Sequence, residues 1–117
     1  INMDGVIIIS TPQEIALQDV KRGIRMFDKL KVKILGLIDN MSHFVGDDGK
    51  KYAIFGEGGV KKTAEDFKKD FLGEIPIDPE VGKQGDLGRP IVESNPEHEI
   101  SNIYLDFAKK VKKKFLV

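Results

Sequence analysis

The sequence predicts an α/β fold with a mostly parallel sheet and flanking helices. Two observations carry that expectation. Three aliphatic runs, at 5–10, 33–40 and 71–78, alternate with segments of helical apolar spacing, which is the order a parallel sheet imposes. The first runs are apolar at consecutive positions, as in strands covered on both faces. A third observation adds a detail: Asp48-Gly49 is a strong turn signal between extended apolar residues, which predicts a β-hairpin excursion.

The elements follow in order. "GVIIIS" (5–10) is a β-branched run and reads as the first strand. In "TPQE", Thr11 can serve as an N-cap, Pro12 as the first helical residue and Glu14 as the partner in a capping box. The helix carries a stripe at Ala16, Val20, Ile24 and Phe27 and ends near Leu30. "KILGLIDN" (33–40) is the second strand, so strand, helix and strand form one right-handed crossover. The hairpin occupies "HFVGDDGKKYAIF", with its tip at Asp47 to Lys50. In "GEGGVKKTAEDFKKDF", Val60, Ala64, Phe67 and Phe71 are spaced for one helix face. "FLGEIPID" (71–78) is the third strand, and Asp78-Pro79-Glu80 caps a short helix reaching about Asp86. "GDLGRPIVESNP" reads as a loop-rich connector, and Asn95-Pro96 opens a last helix striped by Ile100, Ile103, Phe107 and Val111.

The chain has 117 residues, enough for one domain with a core. It opens on Ile1 rather than Met, so either a segment was removed or it is a piece of a longer protein. Nineteen basic residues balance nineteen acidic ones, which argues against a nucleic-acid module relying on a broadly basic surface. The run Lys109 to Lys114 reads as a solvated last helical turn, where cations suit the helix dipole. No apolar run approaches the ~20 residues of a membrane span, and no signal-peptide pattern is present. With no cysteine there is no disulfide framework, and a cytoplasmic home is the default. Two histidines and no cysteine argue against a zinc site built by this chain alone.

In open α/β sheets ligands bind outside the carboxyl ends of the strands. Those ends are Ser10-Thr11, Asp39-Asn40 and Pro76-Ile77-Asp78. The Asn40 amide can donate to and accept from a base edge, or it can close a turn. Gln13, Glu14 and Asp19 read as cap, surface or interface residues rather than an acid–base set. His43 opens the hairpin without a nearby partner histidine and reads as packed or surface; His98 reads as exposed in the first turn of the last helix. Arg89-Pro90 is either a turn or a contact to a nucleotide or second subunit. Phe44, Tyr52 and Phe55 are either an exposed contact patch or packed on the sheet.

"GVIIISTPQEIALQDVKRGIRMF", "GLIDNMSHF", "IFGEGGVKKTAEDF" and "FLGEIPIDPEVGKQGDLGRPIV", in this order and with the closing helix, resemble the C-terminal half of an Mrp/ApbC-type ATPase. That family belongs to the MinD-like, deviant P-loop NTPases. The resemblance covers nearly the whole chain. It implies a P-loop NTPase domain of which residues 1–117 are the C-terminal part, dimerising around ATP and acting as an iron–sulfur cluster carrier or assembly factor. It implies that Asn40 binds adenine and that Pro76, Ile77 and Asp78 line the other side of the base, chiefly through their backbone. Homodimerisation, iron–sulfur apo-proteins as partners and a cytoplasmic location are implied with it, with no nucleic acid and no membrane span.

Two departures limit what the chain does by itself. The family's phosphate loop and its magnesium-positioning residues lie upstream; the nearest lookalike, "GEGGVKKT" (56–63), has lysine at 61 where glycine is needed, and reads as a glycine-assisted helix start. ATP and Mg would therefore be held with the N-terminal half, and the chain alone is expected not to hydrolyse ATP. Many relatives also carry a Cys-x-x-Cys pair after "NMS". Here the stretch is "VGDDGKKYAIF", and Asp47 and Asp48 are poor substitutes for thiolates. Two other functions stay open: a non-catalytic interaction or dimerisation module, and a MinD- or ParA-like positioning ATPase. Half of a doubly wound sheet exposes an unpaired strand edge, so the chain alone is expected to self-associate or to sit in a larger assembly.

Overall fold

The computed structural model describes residues 2–115. The aliphatic runs form strands β1 (Val6–Ser10), β2 (Ile34–Asn40) and β5 (Phe71–Ile75), hydrogen-bonded in the order β1-β2-β5 and all parallel. Helices α1 (Glu14–Lys29) and α2 (Gly59–Asp66) cover one face, where Leu17, Val20, Ile24, Leu37, Val60 and Ala64 form a buried cluster. Helix α5 (Glu99–Phe115), with α3 (Pro79–Asp86) and α4 (Ile91–Ser94), covers the other. There Ile38, Leu72, Ile75, Ile91, Ile100 and Phe107 are buried together. Because β2 is central, Leu35 to Asp39 are all buried, which explains its unbroken apolar run. The hairpin forms from β3 (Phe44–Val45) and β4 (Lys51–Tyr52), its tip closed by the Gly49 N–H donating to the Gly46 carbonyl.

Several expectations need correction. Thr11 is not the N-cap of α1. Gln13 is, without a side-chain cap, and the capping box to Glu14 does not form. Pro12 is buried, and the chain past it stays extended under the loop that carries Gly56 and Gly59. A Cβ at either glycine would come within 3.1 and 3.3 Å of the Pro12 carbonyl oxygen, respectively, so tertiary packing delays the helix by two residues. Phe71 is a strand residue, not part of α2, because Lys68 turns left-handed and ends the helix. The third strand stops at Ile75, leaving Pro76 to Asp78 as an irregular segment beyond it. The connector contains α4, and the last helix begins at Glu99 rather than beside Pro96.

A bulge in β5 sets up the site. Leu37 pairs with Phe71 but Ile38 pairs with Gly73, so β5 gains one residue there. Leu72 and Gly73 both face α5: Leu72 packs in the α5 cluster, and a Cβ on Gly73 would lie 2.8 Å from Phe107. The next residue, Glu74, is thereby aligned with Asp39. β1 is a free edge among the described strands, and its Ile9 is 54% exposed. Among the described residues no helix is long and apolar enough to cross a membrane.

Candidate functional site

The carboxyl end of β2 carries two polar residues because side chains alternate along a strand. Leu37 faces α1 and α2, while Ile38 faces α5. Asp39 and Asn40 continue that alternation and line two different recesses.

Asn40 opens onto a crevice of about 260 Å³ together with Met41, Pro76, Ile77, Asp78 and Tyr104. All four residues singled out in the sequence thus meet in one place. The segments on its two sides are tied by backbone bonds, Ser42 N–H to the Ile75 carbonyl (3.0 Å) and Ile77 N–H to the His43 carbonyl (2.7 Å). The Asn40 Oδ1 accepts from the Met41 N–H at 3.1 Å, where Met41 takes a left-handed conformation. The amide therefore closes a turn with its oxygen, and its Nδ2 donors have no partner among the described residues.

Asp78 is committed elsewhere. Its Oδ1 accepts from the Glu80 N–H at 2.8 Å, the cap expected at the start of α3, and its Oδ2 lies 3.2 Å from His98 Nε2. Both of its carboxylate oxygens are thus engaged by neighbours within the chain. His98, expected to be exposed, is 20% exposed at its side chain and caps α5 by accepting the Ile100 N–H on Nδ1. Val81, Gly82 and Tyr104 also line the crevice. Sequence reasoning passed over them because they arrive from α3 and α5; the apolar Val81 three residues past the Asp78 cap was the available hint.

Asp39 lies on the other face, in a polar recess of about 300 Å³ shared with Ser42, His43, Lys51, Glu57 and Glu74. It is 2% exposed, and its Oδ1 has no hydrogen-bond partner among the described residues. Burial, together with the facing Glu74 carboxylate, pushes its carboxyl up to about 6. His43 is packed: its Nδ1 is 2.7 Å from Ser42 Oγ and 3.7 Å from Glu74 Oε2.

The glycine-rich stretch 56–63 behaves as a helix start. Gly58 is the N-cap in a left-handed conformation, and a Cβ on Gly59 would lie 2.6 Å from Leu17 Cδ1. Thr63 is buried and donates its hydroxyl back to the Gly59 carbonyl at 2.8 Å, so its proton is not available to a phosphate. On the hairpin, Phe44, Val45, Tyr52 and Ile54 are exposed and Phe55 is half-buried. The Tyr52 hydroxyl and the Lys50 N–H both donate to Asp48, holding its carboxyl below the usual range. Arg89 and Pro90 are exposed at the turn between α3 and α4.

A family model described as "ParA: NUBPL iron-transfer P-loop NTPase" matches residues 1–112. An "Iron-sulfur cluster carrier protein" of Aquifex aeolicus is 42% identical over 110 residues, covering 93% of this chain and 30% of its own length. A nucleotide-binding protein from Archaeoglobus fulgidus, solved in complex with ADP and with Co found by PIXE, is 35% identical with a TM-score of 0.66 over 83% of this chain and 39% of that one. The cell-division ATPase MinD of Pyrococcus furiosus superposes with a TM-score of 0.72 at 19% identity, covering 95% of this chain and 43% of that one, and shares the fold. The chain spans about a third of the length of the curated relatives it matches.

Proposed function

Because the chain belongs to the NUBPL iron-transfer P-loop NTPase family, we propose that it supplies the adenine side of an ATP site in an Mrp-type ATPase serving iron–sulfur cluster assembly or transfer. The observation that carries this is the convergence of Asn40, Pro76, Ile77 and Asp78 on one crevice at the strand ends. The 35% identical neighbour solved with ADP supports it. Asn40 keeps two Nδ2 donors for a ring nitrogen, and the second lone pair of Oδ1 can accept from an exocyclic amine. Ile77 and Val81 offer apolar surface to the flat base, and the backbone of 76–78 is held in place by the Ile77–His43 bond. Bound ATP with Mg would supply the hydrolysable phosphate chain. In this reading residues 1–117 are the C-terminal part of one NTPase domain, and the phosphate loop belongs to the part of the parent that precedes it.

A cluster would be the protein's cargo, and the hairpin does not fit as its holder. Thiolates are the usual ligands, the chain has no cysteine, and Asp48 already accepts from Tyr52 and Lys50. Ligation is therefore placed outside this hairpin. The exposed apolar hairpin residues suit a contact to a second copy, and iron–sulfur apo-proteins are the recipients in this reading. A reducing cytoplasmic setting is part of it, since a cysteine-free chain needs no oxidising compartment. The same patch favours the alternative of an interaction module that makes no use of nucleotide.

The test is the affinity of the full-length parent for ADP, ATP and GDP by calorimetry. Asn40→Ala should weaken ADP by about tenfold, equivalent to ~1.4 kcal/mol, and narrow the preference over GDP. Asn40→Asp keeps the bond from the Met41 N–H but removes the donors, and should weaken ADP as well. Unchanged ADP affinity in both variants refutes the adenine assignment, and a parent that binds no nucleotide leaves the interaction module.

A further inference from the structure

We propose that the recess between the end of β5, the hairpin and the start of α2 is a receptor for a cationic side chain, the guanidinium of arginine or the ammonium of lysine, presented by a partner protein. It lies on the opposite face of β2 from the adenine crevice and does not depend on the nucleotide reading. Its floor is the Asp39 carboxylate, 2% exposed, with Oδ1 unpartnered among the described residues. A buried carboxylate oxygen without a donor is costly, so the recess is built for a donor it does not itself contain. Glu74 stands beside Asp39 in register and Glu57 at the rim, so carboxylates outnumber Lys51, the cation that lines the recess. Lys51 does not fill the vacancy, because Oδ1 has no partner among the described residues.

Three features favour a side-chain cation over a metal ion. Among the described residues no three acidic or imidazole groups converge as metal ligands do. The volume of about 300 Å³ exceeds what a bare ion needs and accommodates a planar or tetrahedral head with part of its stem. The acceptors are also dispersed, with Asp39 at the floor, Glu74 beside it and the Ser42 hydroxyl next to His43, which suits a group carrying several N–H donors on fixed vectors.

The experiment titrates N-acetyl-arginine amide and N-acetyl-lysine amide into the ¹⁵N-labelled full-length parent and follows its amide resonances. N-acetyl-citrulline amide, neutral and of the same shape as the arginine probe, is the control. Saturable shifts confined to the neighbourhood of Asp39, Ser42, His43 and Glu74 are expected for the cationic probes. Asp39→Asn should weaken them about tenfold or more, the loss of a charge-assisted bond. Glu74→Gln, at a half-exposed position that leaves the fold intact, should weaken them by a few-fold. Equal shifts with the citrulline probe overturn the proposal, as do shifts that survive Asp39→Asn or no saturable shifts at all. Magnesium chloride producing the same pattern at lower concentration would make the recess a metal site and overturn it too. Whichever cation binds more tightly identifies the partner side chain.

Discussion

Replacing Asp39 by asparagine should stabilise the protein at neutral pH. The substitution keeps the size of the side chain and removes a buried charge. In the folded chain the Asp39 carboxyl is raised from 3.8 to about 6, first by burial and then by Glu74. At ~1.36 kcal/mol for each tenfold change in acidity, that rise corresponds to about 3 kcal/mol. The recess opens to water, which screens part of this, so about 1–2 kcal/mol is the working figure. The direction follows from linkage: a group whose folded value is raised contributes stability that is fully present below pH 4 and lost as pH rises through about 6. At pH 7.5 the native protein therefore carries the whole penalty, and Asp39→Asn should exceed it in stability by that amount. The introduced amide can also donate to Glu74. Below pH 4 the two proteins should converge. Urea denaturation followed by circular dichroism at pH 4, 5.5 and 7.5, on the full-length parent, measures both limbs. A variant that is less stable at pH 7.5, or that keeps the native pH dependence between 4 and 6, refutes the reasoning. Adding N-acetyl-arginine amide should close the gap at pH 7.5, because the cation supplies the missing donor.

Two further outcomes follow from the packing of the sheet. Gly36→Ala should cost about 1–3 kcal/mol, because its Cβ would lie 2.5 Å from Leu72 Cγ inside the central strand; thermal unfolding reads this, and an unchanged midpoint would show that Leu72 moves aside freely. The isolated 117-residue chain should sediment as a species heavier than a monomer, driven by the free edge of β1, and Ile9→Lys should raise the monomer fraction; a single monomer boundary for the unmodified chain would contradict this.

Features written in local chemistry were legible in the sequence. Asp78-Pro79 caps α3 as expected, because an N-cap needs only a side-chain oxygen and the N–H two residues on. Asp48-Gly49 closes the hairpin, with Gly49 in the left-handed region. The stripes of α1 and α5 are buried where their spacing put them, at Val20, Ile24, Ile100 and Phe107. Features decided by distant residues were not legible. Thr11 has the composition of an N-cap, but the Pro12 carbonyl lies under Gly56 and Gly59, some 45 residues on in the chain, and the helix starts later. Phe71 fits a helical period and a strand equally, and the left-handed Lys68 decides between them. His98 looked exposed because its partner, Asp78, lies twenty residues earlier.

The end of β2 shows the same division within two adjacent residues. That Asp39 and Asn40 point to opposite faces follows from the alternation of any strand, once Leu37 and Ile38 are known to be buried on opposite sides. What each side chain meets does not follow. Asn40 meets Pro76 and Ile77 because β5 ends one residue before Pro76 and the chain is held by Ser42 and His43. Asp39 meets Glu74 only because the bulge at Leu72-Gly73 shifts the register of β5 by one; without it the strand would present its side chains to the opposite faces and no second carboxylate would stand beside Asp39. The bulge rests on Gly73, whose φ of 145° and close approach to Phe107 both exclude a side chain. A glycine packed against α5 thus places the second carboxylate beside Asp39 on the other side of the sheet, and any substitution there should disturb the Asp39 recess before it disturbs the crevice at Asn40.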